Sequence, residues 1–290
     1  MLNCEQIEFY HENGYLGVEN VVSLEEVEEL RRVTDGFIEK SREVTKHDTV
    51  FDLEPGHSPQ DPKVRRLKGP AQQHVVYDRM LRHEAILDVV AQLIGSSIHT
   101  NGNKLNMKSP EFGSPVQWHQ DWAFYPYTND DLLAVGVAID DMRVENGCLQ
   151  VIPGSHRCRI LDHHFEGHFS GAVTEPDFDD SSAVPIELNA GSISIHHVRT
   201  LHASLPNTSA QPRRLFLLQY CAGDAWPLVK NEWESYCKNF LRGEPSNMPR
   251  VTDVPVRLPL PPAMRQGSIY ENQSVVEYST FKNIPAAGRN

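Results

Sequence analysis

The sequence predicts a mainly β chain with flanking helices, its strands numerous enough for a two-sheet jelly roll or a related barrel. Helix signals predominate over residues 1–95. From about residue 97 the chain turns to short runs rich in β-branched and aromatic residues, broken every ten or so positions by Gly, Pro, Asn or Asp. At 290 residues and 39% hydrophobic it can fill one large core. A single domain is therefore expected, with a mainly helical part over 1–95, a β core over 96–225 and an extension over 226–290 packing on it.

Ile7 and Phe9-Tyr10 among acids and amides predict a short helix over 5–13, stopped by Asn13-Gly14. A strand-like run follows from Tyr15 to Val22. Ser23 and Glu26 form a capping box, and Val27, Leu30 and Val33 to Ile38 carry helical spacing to about residue 40. Between about 44 and 72 the chain is polar and holds Pro55, Pro59, Pro62 and Pro70, so a long surface loop is expected. A helix at 77–94 places Ile86, Val89, Val90 and Leu93 on one face. Candidate strands then fall at 97–107, 115–119, 132–140, 148–152, 184–188, 192–196 and 213–222. The segment 161–183 is a poorly patterned insertion, and the Pro-rich stretch 244–263 reads as a loop.

Charged residues make up 23% of the chain and the net charge is -12, which gives no electrostatic reason to expect nucleic acid or an anionic membrane surface. Five cysteines without a C-x-x-C pair are too sparse for a disulfide scaffold and suit a reducing compartment. No stretch is apolar over the ~18 residues that a membrane span needs. A cytoplasmic protein acting on a small molecule is expected; its oligomeric state is not set by the sequence.

The chemistry concentrates in Trp118-His119-Gln120-Asp121-Trp122, because residues two apart on a strand project to one face. His119 and Asp121 would present an imidazole and a carboxylate together, and His202, after the run Gly191 to His197, would complete a facial triad. Such a triad leaves three cis positions open, the geometry of non-haem iron oxygenases. Eleven residues further, Arg213 opens the strand Arg213 to Tyr220, where a guanidinium could clamp a dicarboxylate end-on. The plainer alternative for Arg213 and Arg214 is an exposed strand start.

At these positions the chain resembles the phytanoyl-CoA dioxygenase (PhyH-like) family of iron(II)- and 2-oxoglutarate-dependent oxygenases. The resemblance covers roughly residues 5 to 225. It runs through Glu12 to Leu16, Ser23 to Glu26, Trp118 to Asp121, Glu145 to Leu149, Ile152 to His156, His202 to Ser204, Asn207 and Arg213. It implies a double-stranded β-helix (cupin-like) core, with His119, Asp121 and His202 as iron ligands and Arg213 on the distal carboxylate of 2-oxoglutarate. Asn106 stands where some relatives contact the co-substrate. The implied activity is hydroxylation of an unactivated C–H with dioxygen, releasing succinate and carbon dioxide. Gly136 stands where many relatives place a Trp, a change expected to enlarge the pocket; Ala203 replaces a commoner Gly.

Other residues invite plainer readings. His156, in a Pro-Gly-Ser-His turn, reads as structural, and His163, His164 and His168 read as a solvated cluster in the insertion. His196 and His197 fit the spacing to Arg213 less well than His202. Trp122, Phe124 and Tyr125 are either core packing or a substrate wall. The favoured substrate is a small, largely apolar metabolite or natural product, with an acyl-CoA as the alternative. A non-catalytic metal- and 2-oxoglutarate-binding jelly roll and a zinc hydrolase are the competing classes.

Overall fold

Backbone pairing in the computed structural model, which describes residues 1–229, 232–265, 267–276 and 281, gathers most strands into two antiparallel sheets. The strands are β1 (Tyr15–Val18), β2 (Phe51–Leu53), β3 (Val64–Lys68), β4 (Ile98–Lys108), β5 (Val116–His119), β6 (Leu132–Ala138) and β7 (Leu149–Val151). They continue with β8 (His164–Phe165), β9 (His168–Phe169), β10 (Val184–Ile186), β11 (Ile193–His197), β12 (His202–Ser204), β13 (Arg213–Ala222) and β14 (Phe240–Arg242). The major sheet runs β1-β11-β6-β13-β4-β3-β2, with β14 also on β4, and the minor sheet runs β10-β7-β12-β5. This is the double-stranded β-helix expected. The helices are α1 (Cys4–Asn13), α2 (Leu24–Lys40), α3 (Pro70–Gln73), α4 (Val75–Leu81), α5 (Glu84–Ile94), α6 (Trp233–Lys238) and α7 (Ile269–Gln273).

The major sheet is covered on both sides, which explains why β6 reads Leu-Leu-Ala-Val-Gly-Val-Ala and is buried throughout. Its outer face, with Val135, Val137, Phe216 and Leu218, joins Val27 and Leu30 of α2, Tyr77 of α4 and Ile86 and Val90 of α5 in one core. Tyr77 meets Phe216 edge-on at 5.2 Å between centroids. The inner face turns toward the minor sheet and carries the polar side chains. The capping box of α2 forms as its sequence requires, with Ser23 and Glu26 each satisfying an amide of the other.

Three expectations change. Residues 44–72 are not a bare surface loop, because β2 and β3 extend the major sheet beyond β4 and bury Phe51, Leu53, Val64 and Leu67. The helix expected at 77–94 is two helices, parted at Arg82-His83. The insertion 161–183 is not solvated: it forms the β8–β9 hairpin and buries Phe169, Val173 and Phe178. The extension straps across it. Phe169 donates its amide to Pro261 O, Gln273 Nε2 donates to Gly171 O, and Trp122 Nε1 donates to Pro255 O. Arg257 pairs with Asp162 at 2.7 Å. Among the described residues no helix is long and apolar enough to cross a membrane.

The end of α1 is fastened to the sheet at Gly14, whose φ of 77° is the left-handed value a helix stop needs. Its carbonyl accepts from Thr200 Oγ1 and from the His197 amide. His156 packs over it with Nε2 3.2 Å from His11 O, which supports the structural reading of that residue. A Cβ on Gly14 would lie 2.3 Å from His156 Nδ1 and 2.7 Å from Thr200 Oγ1. Gly14→Ala should therefore cost about 1–3 kcal/mol of stability through strain and clash together. A urea midpoint equal to that of the parent protein would contradict this packing.

Candidate metal centre

His119 closes β5 and His202 opens β12, and the register of these two strands sets them opposite each other. Their ring centroids lie 4.0 Å apart. Asp121 follows at the start of a 3-10 turn, Asp121–Ala123, and the extended backbone of the intervening Gln120 (φ -116°, ψ 128°) leaves it on the same side of the chain as His119. Its Oδ1 lies 3.8 Å from His119 Nε2 and 4.0 Å from His202 Nε2. One donor atom from each of the three lies within 4.8 Å of the others. All three side chains are buried.

Each imidazole is oriented by a carbonyl two residues before it. His119 Nδ1 lies 2.8 Å from Gln117 O, and His202 Nδ1 lies 2.9 Å from Thr200 O. The proton of each ring therefore sits on Nδ1, and a lone pair on Nε2 faces Asp121. Burial pushes His119 down to about 4 and holds His202 well below its usual range. Burial alone would raise the Asp121 carboxyl, yet His196 and the charge of Lys104 outweigh it and hold the group well below the carboxylate range. Two neutral imidazoles and an ionised carboxylate are the donors that a divalent first-row metal takes, in a facial arrangement.

His196, set aside in the sequence, faces this centre. Its Nε2 lies 3.7 Å from Asp121 Oδ2, its ring centroid is 4.3 Å from that of His202, and among the described residues neither ring nitrogen has a hydrogen-bond partner. The alternation of β11 turns His197 the other way, to 3.8 Å from Asp130. His163 is buried rather than solvated: its Nε2 accepts from the Gln120 amide at 3.0 Å, holding the residue between two of the donors. Nothing in the sequence spacing signals either contact.

The triad opens into a cavity with about 550 Å³ of empty space, lined also by Lys104, Asn106, Arg213 and Gln219 and by apolar Val116, Leu149 and Leu217. Arg213 and Arg214 are both buried, which removes the exposed strand-start reading. Alternation separates them. Arg214 points outward and forks onto both oxygens of Asp140, with Asp35 2.7 Å away. Arg213 points into the cavity, and its Nε has no partner among the described residues. The Asn106 amide oxygen is likewise buried without a partner. A buried guanidinium without a counter-charge fits a carboxylate ligand, since an unpaired charge is costly to bury. Gly136 does not enlarge the cavity. A Cβ there would lie 2.6 Å from Ser194 Oγ and 2.9 Å from Leu215 Cδ1, so those side chains fill the space.

The aromatic run divides. Trp122 is fully buried in the core and does not line the cavity. Phe124 lies edge-on between His119 and Phe169 of the insertion, at 5.8 and 4.9 Å. Tyr125 lines a narrow space with Asp121 and Gln219 and, with Phe124, an outer cleft with about 990 Å³ of empty space.

Buried neutral histidines make the metal-free protein acid-sensitive. His119 and His163 both titrate near 4 when folded, against 6.5 for a free side chain. Below 6.5 the unfolded chain takes up protons that the folded chain refuses, so stability falls with pH until about 4. The melting midpoint of chelator-treated protein should decline through that window. A flat profile would mean that these rings are protonated in the fold.

Residues 10–215 match the phytanoyl-CoA dioxygenase (PhyH) family. A probable alpha-ketoglutarate-dependent hypophosphite dioxygenase of Stutzerimonas stutzeri is 34% identical, the match covering 93% of this chain and 96% of that one. An L-proline trans-4-hydroxylase of Streptomyces griseoviridis is 29% identical over 73% of this chain and 83% of its own. Among solved structures, EctD from S. alaskensis in its apo form superposes with a TM-score of 0.66 at 20% identity, covering 89% of each chain. The chain belongs to the phytanoyl-CoA dioxygenase family.

Proposed function

From that membership we propose that His119, Asp121 and His202 hold iron(II), that Arg213 receives the distal carboxylate of 2-oxoglutarate and that Asn106 borders the co-substrate. The protein is an iron(II)- and 2-oxoglutarate-dependent dioxygenase. With dioxygen, iron and 2-oxoglutarate supply an oxidative decarboxylation, to succinate and carbon dioxide, that is coupled to oxidation of the substrate. The residues of this chain do the positioning. Gln117 and Thr200 aim the two Nε2 atoms, and His196 stands against the second oxygen of Asp121, so that one oxygen remains for the metal. Arg213 fixes one end of the dicarboxylate, and the apolar walls from β5, β7 and β13 keep water from the reacting centre. Hydroxylation of a C–H in a small molecule is the reaction this arrangement supports.

The observation that carries this reading is the unpartnered Arg213, buried in the same cavity as the triad. A zinc hydrolase has no use for it. Protein purified without oxygen and then supplied with iron(II), 2-oxoglutarate, ascorbate and air should form succinate. His119→Ala should abolish it, and Arg213→Ala should raise the KM for 2-oxoglutarate by about tenfold or more, the worth of a lost charge-assisted hydrogen bond. Succinate formation unchanged in His119→Ala would reject the assigned ligands.

A further inference from the structure

We propose that the substrate of this enzyme is a small anion and that Lys104 receives its negative charge. The inference rests on the dioxygenase reading above and adds a substrate class to it.

Lys104 lines the cavity that the triad opens into. Neighbouring lysines on the same strands are committed. Lys108 donates to Ser114 O and Ser204 O at 2.9 and 3.4 Å and also to Leu205 O, and Lys68 pairs with Asp52 at 2.8 Å. Among the described residues Lys104 has no hydrogen bond from its ammonium group and no ion pair. Burial pushes its ammonium down, and Asp121 is the acidic group whose field reaches it. On the ligand assignment proposed above, that carboxylate would be taken up by the metal.

The register keeps Lys104 away from the co-substrate's anchored end. Lys104 lies opposite Leu217 while Arg213 lies opposite Lys108. Four residues of β13 therefore separate the two cations, about 13 Å along the strand. Lys104 and Arg213 thus enter the cavity at different points along it.

Charge balance points the same way. A divalent metal and Arg213 bring three positive charges, and Asp121 and the two carboxylates of 2-oxoglutarate bring three negative ones, with the imidazoles neutral. Lys104 is left over. A cation drawn out of water and unpaired is costly, and an anionic substrate removes that cost on binding. The cavity must hold 2-oxoglutarate as well, so the anion is small. A carboxylate or a phosphorus oxyanion meets both demands.

The test uses the full chain loaded with manganese(II), which keeps the site filled without turnover, and reads binding by calorimetry. 2-Oxoglutarate is titrated first, then hypophosphite, propionate and the neutral propionamide, each into the co-substrate complex. At least one anion should bind and propionamide should not. Lys104→Met should weaken that anion by about tenfold or more and leave 2-oxoglutarate within about twofold, with Lys104→Arg recovering part of the loss. Unchanged 2-oxoglutarate affinity also shows that the variant is folded. The proposal is overturned if propionamide binds as tightly as propionate or if neither anion binds. It is also overturned if Lys104→Met weakens 2-oxoglutarate while sparing the anions, which would place the ammonium on the co-substrate. Wild-type protein that does not bind 2-oxoglutarate would instead reject the dioxygenase reading itself.

Discussion

The pairing of β12 with β5 is the constraint from which the site follows. It sets His202 opposite His119, and the extended Gln120, its amide held by His163, then brings Asp121 to both rings. Slipping that register by one residue would turn every side chain of β12 to the other face and separate the imidazoles. The short strands of the minor sheet bury Trp118 and Ala203 in one cluster with Val173, Phe178 and Leu201. Their register is held by hydrogen bonds to β7 on one side and β5 on the other, and by Ser155, whose hydroxyl accepts the Leu201 amide just before His202.

The major sheet sorts charge by parity. Because it is buried on both faces, an ionic side chain on it must find a partner or a function. Arg214 finds Asp140 on the outer face, and Lys108 finds main-chain carbonyls at the cavity's end. Among the described residues Arg213 and Lys104 find no hydrogen-bond or ion-pair partner, and both face the space beside the triad. Charge left uncompensated by a fold otherwise well paired marks where bound molecules complete it.

Much of this was legible in the sequence because it rests on local signals. The capping box at Ser23, the stop at Gly14 and the strands β4 to β7, β10, β11 and β13 follow from periodicity and turn residues, and the family pattern drew His119, Asp121, His202 and Arg213 together. What was missed depends on distant partners. Polar residues and prolines hid β2 and β3, which exist because β4 offers them an edge. His163 looked solvated because its neighbours are acidic, and only the fold brings Gln120 to it. Trp122 stood between core packing and a substrate wall, and the turn after Asp121 decides it by carrying the side chain into the core. The polarity of the cavity was equally hidden, since Lys104 and Gln219 face inward only once β4 and β13 are in register.

The strap between the extension and the insertion couples two stretches far apart in the chain. Carbonyls of residues 255, 261 and 262 answer donors at Trp122, Phe169 and His168, while Gln273 reaches back to Gly171. Each segment completes the other's backbone hydrogen bonding, so neither can be shortened or exchanged alone without stranding polar groups. Together they form a two-piece cassette behind His119. Transplanting a different insertion into this scaffold means transplanting its matching tail, so the surroundings of the metal can be remodelled as a module but not residue by residue.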